Sequence, residues 1–532
     1  MMLNRRAFLK TGVTIFATSF LSYAFARTGF SKTKKITAIA LPRIGMNLGG
    51  ISYYSSEWPL NDLFKHAAEI GPDQGVTLDD KGEVVGIPAG KKARRIIYVM
   101  PEEVSADLYV KNTRYVLLYD GDEVVYAPNA KSGRNTLFIV ESAKLVSQTP
   151  QKIVFDIKAN HSLTLSISSL HPQHPIKNIR IVPFSEEGEK NVWNPRFLSL
   201  LDGFSCIRFM DTMKTNNSKQ STWENRPRED EAVYSTDKGC PLALMVDLAN
   251  LKKINPWFCI PHSADDDYVT QFATYIKDHL DHQLKAYIEY SNETWNGGFE
   301  QYRYARNQAT SLGFGADANK YTAYRSIQIF DIFDRVYGGE RSKRIVRVLA
   351  SQASWAEVAK SRLSFKQAYQ KVDALAIAPY ISLMVGPELE AKVASWSLDQ
   401  LFDYIKQVAL PESINWMASN KAIADEYGVQ LIAYEGGQHM VGVAGVENNQ
   451  KITDLLIAAN QDPRLEQLYR DYLNAWSKTG GDLFCHYSFI GGWSKWGSWS
   501  LLQSKYEQLT NSPKWQSVAK WANANGQKVL LK

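Results

Sequence analysis

Two glutamates, each at the end of an apolar run, are the first chemical features of the 532-residue chain. The run Ala286 to Tyr290 continues into Ser291-Asn292-Glu293-Thr294-Trp295-Asn296, and the run Val429 to Tyr434 into Glu435-Gly436-Gly437-Gln438-His439. A pair of carboxyl groups facing one pocket is the basic apparatus of glycoside hydrolysis: one gives a proton to the leaving oxygen while the other stabilises or attacks the anomeric carbon. Neither a Gly-rich phosphate loop nor a Gly-x-Ser-x-Gly elbow occurs, which argues against nucleotide and serine-hydrolase chemistry.

The elements that must position these carboxyls recur along the chain. Eight runs have strand character: Ile44 to Ile51, Phe204 to Met210, Pro256 to Ile260, Ala286 to Tyr290, Ile345 to Leu349, Ala374 to Ala378, Val429 to Tyr434 and Leu483 to Phe489. Stretches such as Asp267 to Leu280, Asn319 to Val336 and Ile414 to Tyr427 lie between them, with apolar residues at three- and four-residue spacing, as amphipathic helices have. Eight such units predict an α/β fold of the (β/α)8 barrel type, in which chemistry sits at the C-terminal ends of the strands. Glu293 and Glu435 then follow strands four and seven, on one pocket.

The gap between the first two runs is too long for one helix. From Gly75 to Val182 it carries short strand-like runs, Ala106 to Val110 among them, punctuated by turn signals such as Asp120-Gly121-Asp122. This pattern predicts an antiparallel β-sandwich inserted after the first barrel strand, built from hairpins. The expected division is a signal segment over 1–26, barrel over 27–74, insertion over 75–182 and the rest of the barrel over 183–532.

Asn292-Glu293 after strand four and Glu435 after strand seven resemble the signature of the large retaining glycoside hydrolase clan with (β/α)8 barrels (clan GH-A). The likeness extends over most of the chain outside the leader and the insertion. It implies that Glu293 is the acid/base, Glu435 the nucleophile and Asn292 the holder of the sugar 2-hydroxyl. Arg208 on strand two is placed to support the nucleophile, or to form an ordinary salt bridge. His262 follows strand three, as a pocket wall or a proton carrier, and Tyr380 ends strand six, where the clan often has a tyrosine bonded to the nucleophile. The segments Arg208 to Asp211, Pro261 to Asp267 and Tyr290 to Asn296 are also similar to secreted bacterial proteins described as glycosidases or carbohydrate-binding proteins. A polysaccharide or oligosaccharide partner is thereby implied, either as substrate or, in a barrel that has lost turnover, as a ligand only.

Trp493, Trp496 and Trp499 recur at spacing three in a Gly/Ser-rich loop after the last run; with Trp295 they suggest flat surfaces for sugar rings, with at least one of the three expected to pack into the fold instead. Asp265-Asp266-Asp267 lacks the spacing of a calcium loop and suits a helix N-cap. Asp278, His279, Asp281 and His282 suit a solvated helix end, and no metal or cofactor is expected. Asn292-Glu293-Thr294 also matches a glycosylation sequon. The four cysteines, Cys206, Cys240, Cys259 and Cys485, are far apart and are expected to be free and buried.

Met1 to Ala26 has the layout of a signal peptide with a small-x-small end at Ala24-Phe25-Ala26, and Asn4-Arg5-Arg6-Ala7-Phe8-Leu9-Lys10 resembles a twin-arginine export signal. The twin-arginine machinery is therefore an expected partner and the periplasm or exterior the expected destination, with no membrane anchor after cleavage. The chain has 61 Lys+Arg against 55 Asp+Glu; without the leader's Arg5, Arg6 and Lys10 this is 58 against 55, too little excess for a nucleic-acid binder.

Overall fold

The computed structural model describes residues 41–532 apart from 70–72, 99–112, 141–142, 158–161 and 189–190. The export segment therefore lies outside the described residues, as does the strand-like run Ala106 to Val110.

Eight parallel strands close into a barrel: β1 (Ile44–Asn47), β2 (Cys206–Arg208), β3 (Asn255–Ile260), β4 (Ala286–Tyr290), β5 (Ile345–Ala350), β6 (Ala374–Ile377), β7 (Gln430–Ala433) and β8 (Phe484–His486). Each pairs with the next in sequence, and β1 closes on β8 through Ile44 with Phe484 and Met46 with His486. All eight apolar runs coincide with these strands. Helices follow the strands, among them Asp266–His279, Ala318–Tyr337 and Leu410–Tyr427. Asp265 caps the first of these, its carboxylate accepting from the Tyr268 N–H at 2.7 Å.

The two-residue period of the strands divides their side chains between two cores. Ile207, Phe258, Ile288, Leu375 and Phe484 point outward into the layer shared with the helices. Cys206, Trp257, Cys259, Tyr287, Val348, Ile432 and Cys485 fill the barrel interior. Arg208 and Glu289 occupy the inward phase of β2 and β4, so the same alternation that packs the interior also buries two charges in it. The four cysteines are free and buried.

Between β1 and β2 the chain forms the short antiparallel pair Thr77–Leu78 with Val84–Gly86 and two larger sheets. One has the order Lys177–Pro183, Thr113–Asp120, Lys152–Ile157, Ala143–Thr149, all antiparallel. The other runs Ala68–Glu69, Ala93–Tyr98, Ser162–Ser169, Asn135–Val140, Val124–Tyr126. Its last pair is parallel, against the expectation of antiparallel hairpins throughout. Asp120-Gly121-Asp122 closes no hairpin: the strands on either side of it belong to different sheets, and Gly121, at φ +107°, makes the reversal that sends the chain across. Leu117, Ile153, Phe155 and Ile181 from one sheet share a core with Ile97, Leu137, Leu163 and Leu165 from the other. Trp58, Leu63, Phe64 and Val233, from segments that flank β1 and β2, enter the same core and tie these sheets to the barrel.

Candidate active site

Arg208, fully buried, organises the C-terminal end of the barrel. Its Nη1 donates to Glu435 Oε1 at 2.8 Å and to Asn47 Oδ1 at 3.2 Å; its Nη2 donates to Asn292 Oδ1 at 2.8 Å and to Glu289 Oε2 at 2.9 Å; its Nε donates to Glu289 Oε2 at 3.1 Å. All five N–H groups are thus used, which the fixed fork of a guanidinium permits and a lysine does not. Burial opposes charge on Arg208, but Cys259, Glu289 and Glu435 around it raise its pKa well above the usual value.

Glu435 follows β7 and receives a second hydrogen bond, from the Tyr380 hydroxyl to Oε2 at 2.9 Å. Burial and the neighbouring Glu435 hold the Tyr380 hydroxyl well above its usual range, so it remains a donor. Tyr380 lies in the short link after β6 that leads into the strand Ile381–Val385, which pairs in parallel with Gln438–Gly442 beyond β7. This small sheet extends the barrel rim and fixes Tyr380 beside Glu435.

Glu293 follows β4. Its Oε2 accepts from the Asn296 amide at 2.9 Å and its Oε1 from the Tyr434 hydroxyl at 3.5 Å. Two non-glycine residues of this turn take left-handed backbone, Ser291 at φ +57° and Glu293 at φ +42°, a conformation that costs free energy and tends to gather at functional sites. Burial raises both glutamates above the usual carboxyl range, and for Glu435 the charge of Glu293 adds to the effect. The hydrogen bonds from Arg208 and Tyr380 favour the ionised form of Glu435, whereas Glu293 receives no hydrogen bond from a cation. This difference in partners favours Glu293 as the member of the pair that holds the proton, against the burial that raises Glu435 to about 8.

Asn292 is oriented by its neighbours. Its carbonyl oxygen must face Arg208, so its amide nitrogen points away, one N–H to Asn216 Oδ1 at 3.0 Å. Gln301 Nε2 donates to Asn216 Oδ1 at 2.7 Å and to the Asn292 backbone carbonyl at 2.9 Å.

The structure thus brings Arg208, Asn292, Tyr380 and Glu435 into one hydrogen-bonded group, with Glu293 facing it. His262 forms no bond to either glutamate among the described residues. It is buried beside the Tyr304 ring at 5.1 Å, burial lowers its pKa to about 4, and its backbone carbonyl accepts from the Tyr290 hydroxyl. It is a neutral wall. Trp295 is half-buried next to the Glu293 turn.

The three tryptophans after β8 separate. Trp499 stacks on His439 with ring centroids 5.9 Å apart, and His439 in turn lies 5.5 Å from Tyr380. Trp496 is half-buried beneath the Lys495 ammonium. Trp493 is the packed member of the three and is withdrawn from the sugar platform. It is buried, donates from Nε1 to Ser500 Oγ at 3.1 Å and packs against the buried Lys514 ammonium at 4.5 Å, because the loop folds back on the helix Pro513–Ala524.

Several site residues escaped the sequence reading. Glu289 Oε2 accepts from Trp257 Nε1 at 2.9 Å and from Cys259 Sγ at 3.4 Å as well as from Arg208. Asn47 on β1 donates to the Tyr434 carbonyl at 2.9 Å, and Asp211 after β2 accepts from the Tyr487 hydroxyl at 2.9 Å. A lone acid inside an apolar strand was the available signal for Glu289.

No protein-family model and no curated protein matches the chain. Among solved structures, a 4-O-α-L-rhamnosyl-β-D-glucuronidase from Fusarium oxysporum is 12% identical over 61% of this chain and 62% of its own, with a TM-score of 0.38. A modular endo-β-1,4-mannanase from Cellulomonas fimi is 11% identical over 54% of this chain and 58% of its own, at 0.29. A β-glycosidase from Thermosphaera aggregans is 12% identical over 61% of this chain and 82% of its own, at 0.34. The chain spans less than two thirds of the length of the first two. Overlap at this level carries no functional weight; the chemistry must come from the residues themselves.

Proposed function

We propose that this chain is an exported retaining glycoside hydrolase that cleaves a polysaccharide or oligosaccharide by double displacement. The single observation that carries the reading is the Glu435 carboxylate, gripped by Arg208 and Tyr380 and opposed by Glu293 from the end of β4. In the first step Glu435 attacks the anomeric carbon while Glu293 gives its proton to the leaving glycosidic oxygen, and a glycosyl ester forms on Glu435. In the second, Glu293, now ionised, takes a proton from water as the water oxygen attacks the same carbon, and Glu435 leaves as the carboxylate. Asn292, its nitrogen turned from Arg208, offers an N–H to the sugar 2-hydroxyl. Trp499 on His439, together with Trp295 and Trp496, supplies ring faces for sugar.

The two larger sheets between β1 and β2 are read as an inserted sandwich domain that braces the barrel, supported by their shared core and by the barrel segments that enter it. The leader's basic start and paired arginines support export by the twin-arginine route, with cleavage after Ala26.

A second reading, a sugar-binding barrel without turnover, draws on the burial that raises both carboxyls, since a protonated Glu435 attacks nothing. Prolonged incubation of the protein from Arg27 onward with bacterial exopolysaccharides and plant β-glucans, read as new reducing ends, separates the two. The hydrolase reading requires product from the unmodified protein and none from Glu435→Gln; binding without product from any of these polymers favours the second.

A further inference from the structure

Beneath the Glu293 turn lies a buried cation with no role in the scheme above. Arg362, on the helix Glu357–Ser364, is 1% exposed and forms no ion pair among the described residues. Its fork instead reaches three neutral oxygens on three elements: Nη1 donates to the carbonyl of Ala350 at the end of β5 at 2.5 Å, Nε to Asn319 Oδ1 at 3.0 Å and Nη2 to Thr294 Oγ1 at 3.0 Å. Thr294 is the residue directly after Glu293. Its hydroxyl also lies 2.9 Å from that of Thr322, which donates to the Ala318 carbonyl.

Burying a guanidinium without a carboxylate is costly, and a well-packed apolar side chain fills such a place more favourably. Burial does lower the pKa of Arg362, to about 10, so it keeps its charge at neutral pH. What this costly group secures is a link between the Glu293 turn and the end of the neighbouring strand. The turn needs such a link, because Ser291 and Glu293 both hold left-handed backbone that a relaxed loop of L-residues leaves.

We infer that Arg362, acting through the Thr294 hydroxyl, is a positioning residue that holds the Glu293 turn in its left-handed conformation, with the Glu293 carboxyl turned toward Glu435. The inference rests on the reading of Glu293 as the proton donor, but its first test needs no substrate. Without the clamp the turn relaxes toward solvent, and the Glu293 carboxyl loses the burial that raises it.

The experiment is a 13C NMR titration of the full chain labelled at the glutamate side-chain carboxyl carbon, with the Glu293 signal assigned by its loss in Glu293→Gln. The unmodified protein and Thr294→Ser, which keeps the hydroxyl, should titrate at one raised midpoint. Thr294→Val, which keeps the shape and removes the acceptor, and Arg362→Gln should lower that midpoint by about one unit or more, toward the usual carboxyl value. An unchanged midpoint in folded Thr294→Val overturns the inference, and that variant alone decides should Arg362→Gln fail to fold.

A kinetic arm separates this inference from the reading beneath it. With aryl glycosides of the sugar released in the polysaccharide screen, Thr294→Val should lose roughly tenfold more kcat/KM on a phenyl leaving group than on 2,4-dinitrophenyl, which departs without a proton. Equal losses on both aglycones overturn the clamp as a control on proton donation. If Glu293→Gln also shows equal losses, the donor role of Glu293 falls with it.

Discussion

Arg208 Nη1 lies 2.8 Å from Glu435 Oε1 while the same guanidinium binds Glu289 Oε2 through two further nitrogens, so one cation serves two buried carboxylates. Removing it leaves both without a counter-charge. Arg208→Gln should destabilise the fold by about 3–5 kcal/mol at neutral pH. The loss should shrink in mild acid, where Glu435, already raised by burial, takes up a proton and ceases to be a buried charge. Urea denaturation at two pH values checks this; an equal loss at both would mean that the packing of Arg208, not its charge, holds the barrel end.

Tyr380 touches Glu435 through its hydroxyl alone, which makes Tyr380→Phe a narrow perturbation. The predicted loss in kcat/KM is roughly 10- to 100-fold, the order seen when one preorganised donor to a reacting oxygen is deleted. Because that donor favours ionised Glu435, the acidic limb of the pH–rate profile should also move to higher pH. An unmoved limb would show that the hydroxyl does not bond to the reacting carboxylate.

The tryptophans after β8 should divide by burial. Trp499→Ala and Trp496→Ala should weaken polysaccharide binding about two- to tenfold with the fold intact, as loss of an aromatic face does. Trp493→Ala should instead cost stability, about 3–5 kcal/mol for a buried aromatic truncation. Affinity electrophoresis in gels containing the polysaccharide, run beside thermal melts, distinguishes the two outcomes, and weakened binding by folded Trp493→Ala would return that residue to the sugar site.

Glu57 provides a prediction about pH and stability. It is fully buried with Oε2 accepting from the Gly49 N–H at 2.8 Å, and burial, with a smaller contribution from Asp211, raises it to about 8. A carboxyl whose folded pKa exceeds its unfolded value makes the folded state bind the extra proton. The stability it contributes is complete below the unfolded pKa and is lost as pH rises through the folded one. Unfolding free energy should therefore fall between about pH 4.5 and about pH 8 and level off above that, and Glu57→Gln should flatten the fall. A variant that declines as steeply as the unmodified protein would assign the effect elsewhere.

Much of the barrel was legible because buried parallel strands read as compact apolar runs, and all eight runs fall on barrel strands. The glutamates at the ends of β4 and β7 were legible for the same reason, since each closes such a run. Glu289 was hidden: one acid in Ala286–Tyr290 has no meaning until β2 places Arg208 opposite it, a pairing 81 residues distant in sequence. The insertion's strands were visible but not their partners, because Asp120-Gly121-Asp122 marks a reversal without stating which sheet the chain enters next. Trp493 defied its Gly- and Ser-rich surroundings because those small residues let the loop fold back over Lys514.

The most direct measurement is covalent trapping of the intermediate. A 2,4-dinitrophenyl 2-deoxy-2-fluoroglycoside of the sugar released in the polysaccharide screen should form its glycosyl-enzyme and hydrolyse slowly, since the fluorine destabilises the oxocarbenium-like transition states of both steps while the aryl group speeds the first. Intact mass followed by peptide mapping should place one fluoroglycosyl group on Glu435, released on dilution and absent from Glu435→Gln. A label on any other residue, or turnover of the natural sugar with inverted anomeric configuration and no adduct, would contradict Glu435 as the nucleophile of a retaining glycosidase.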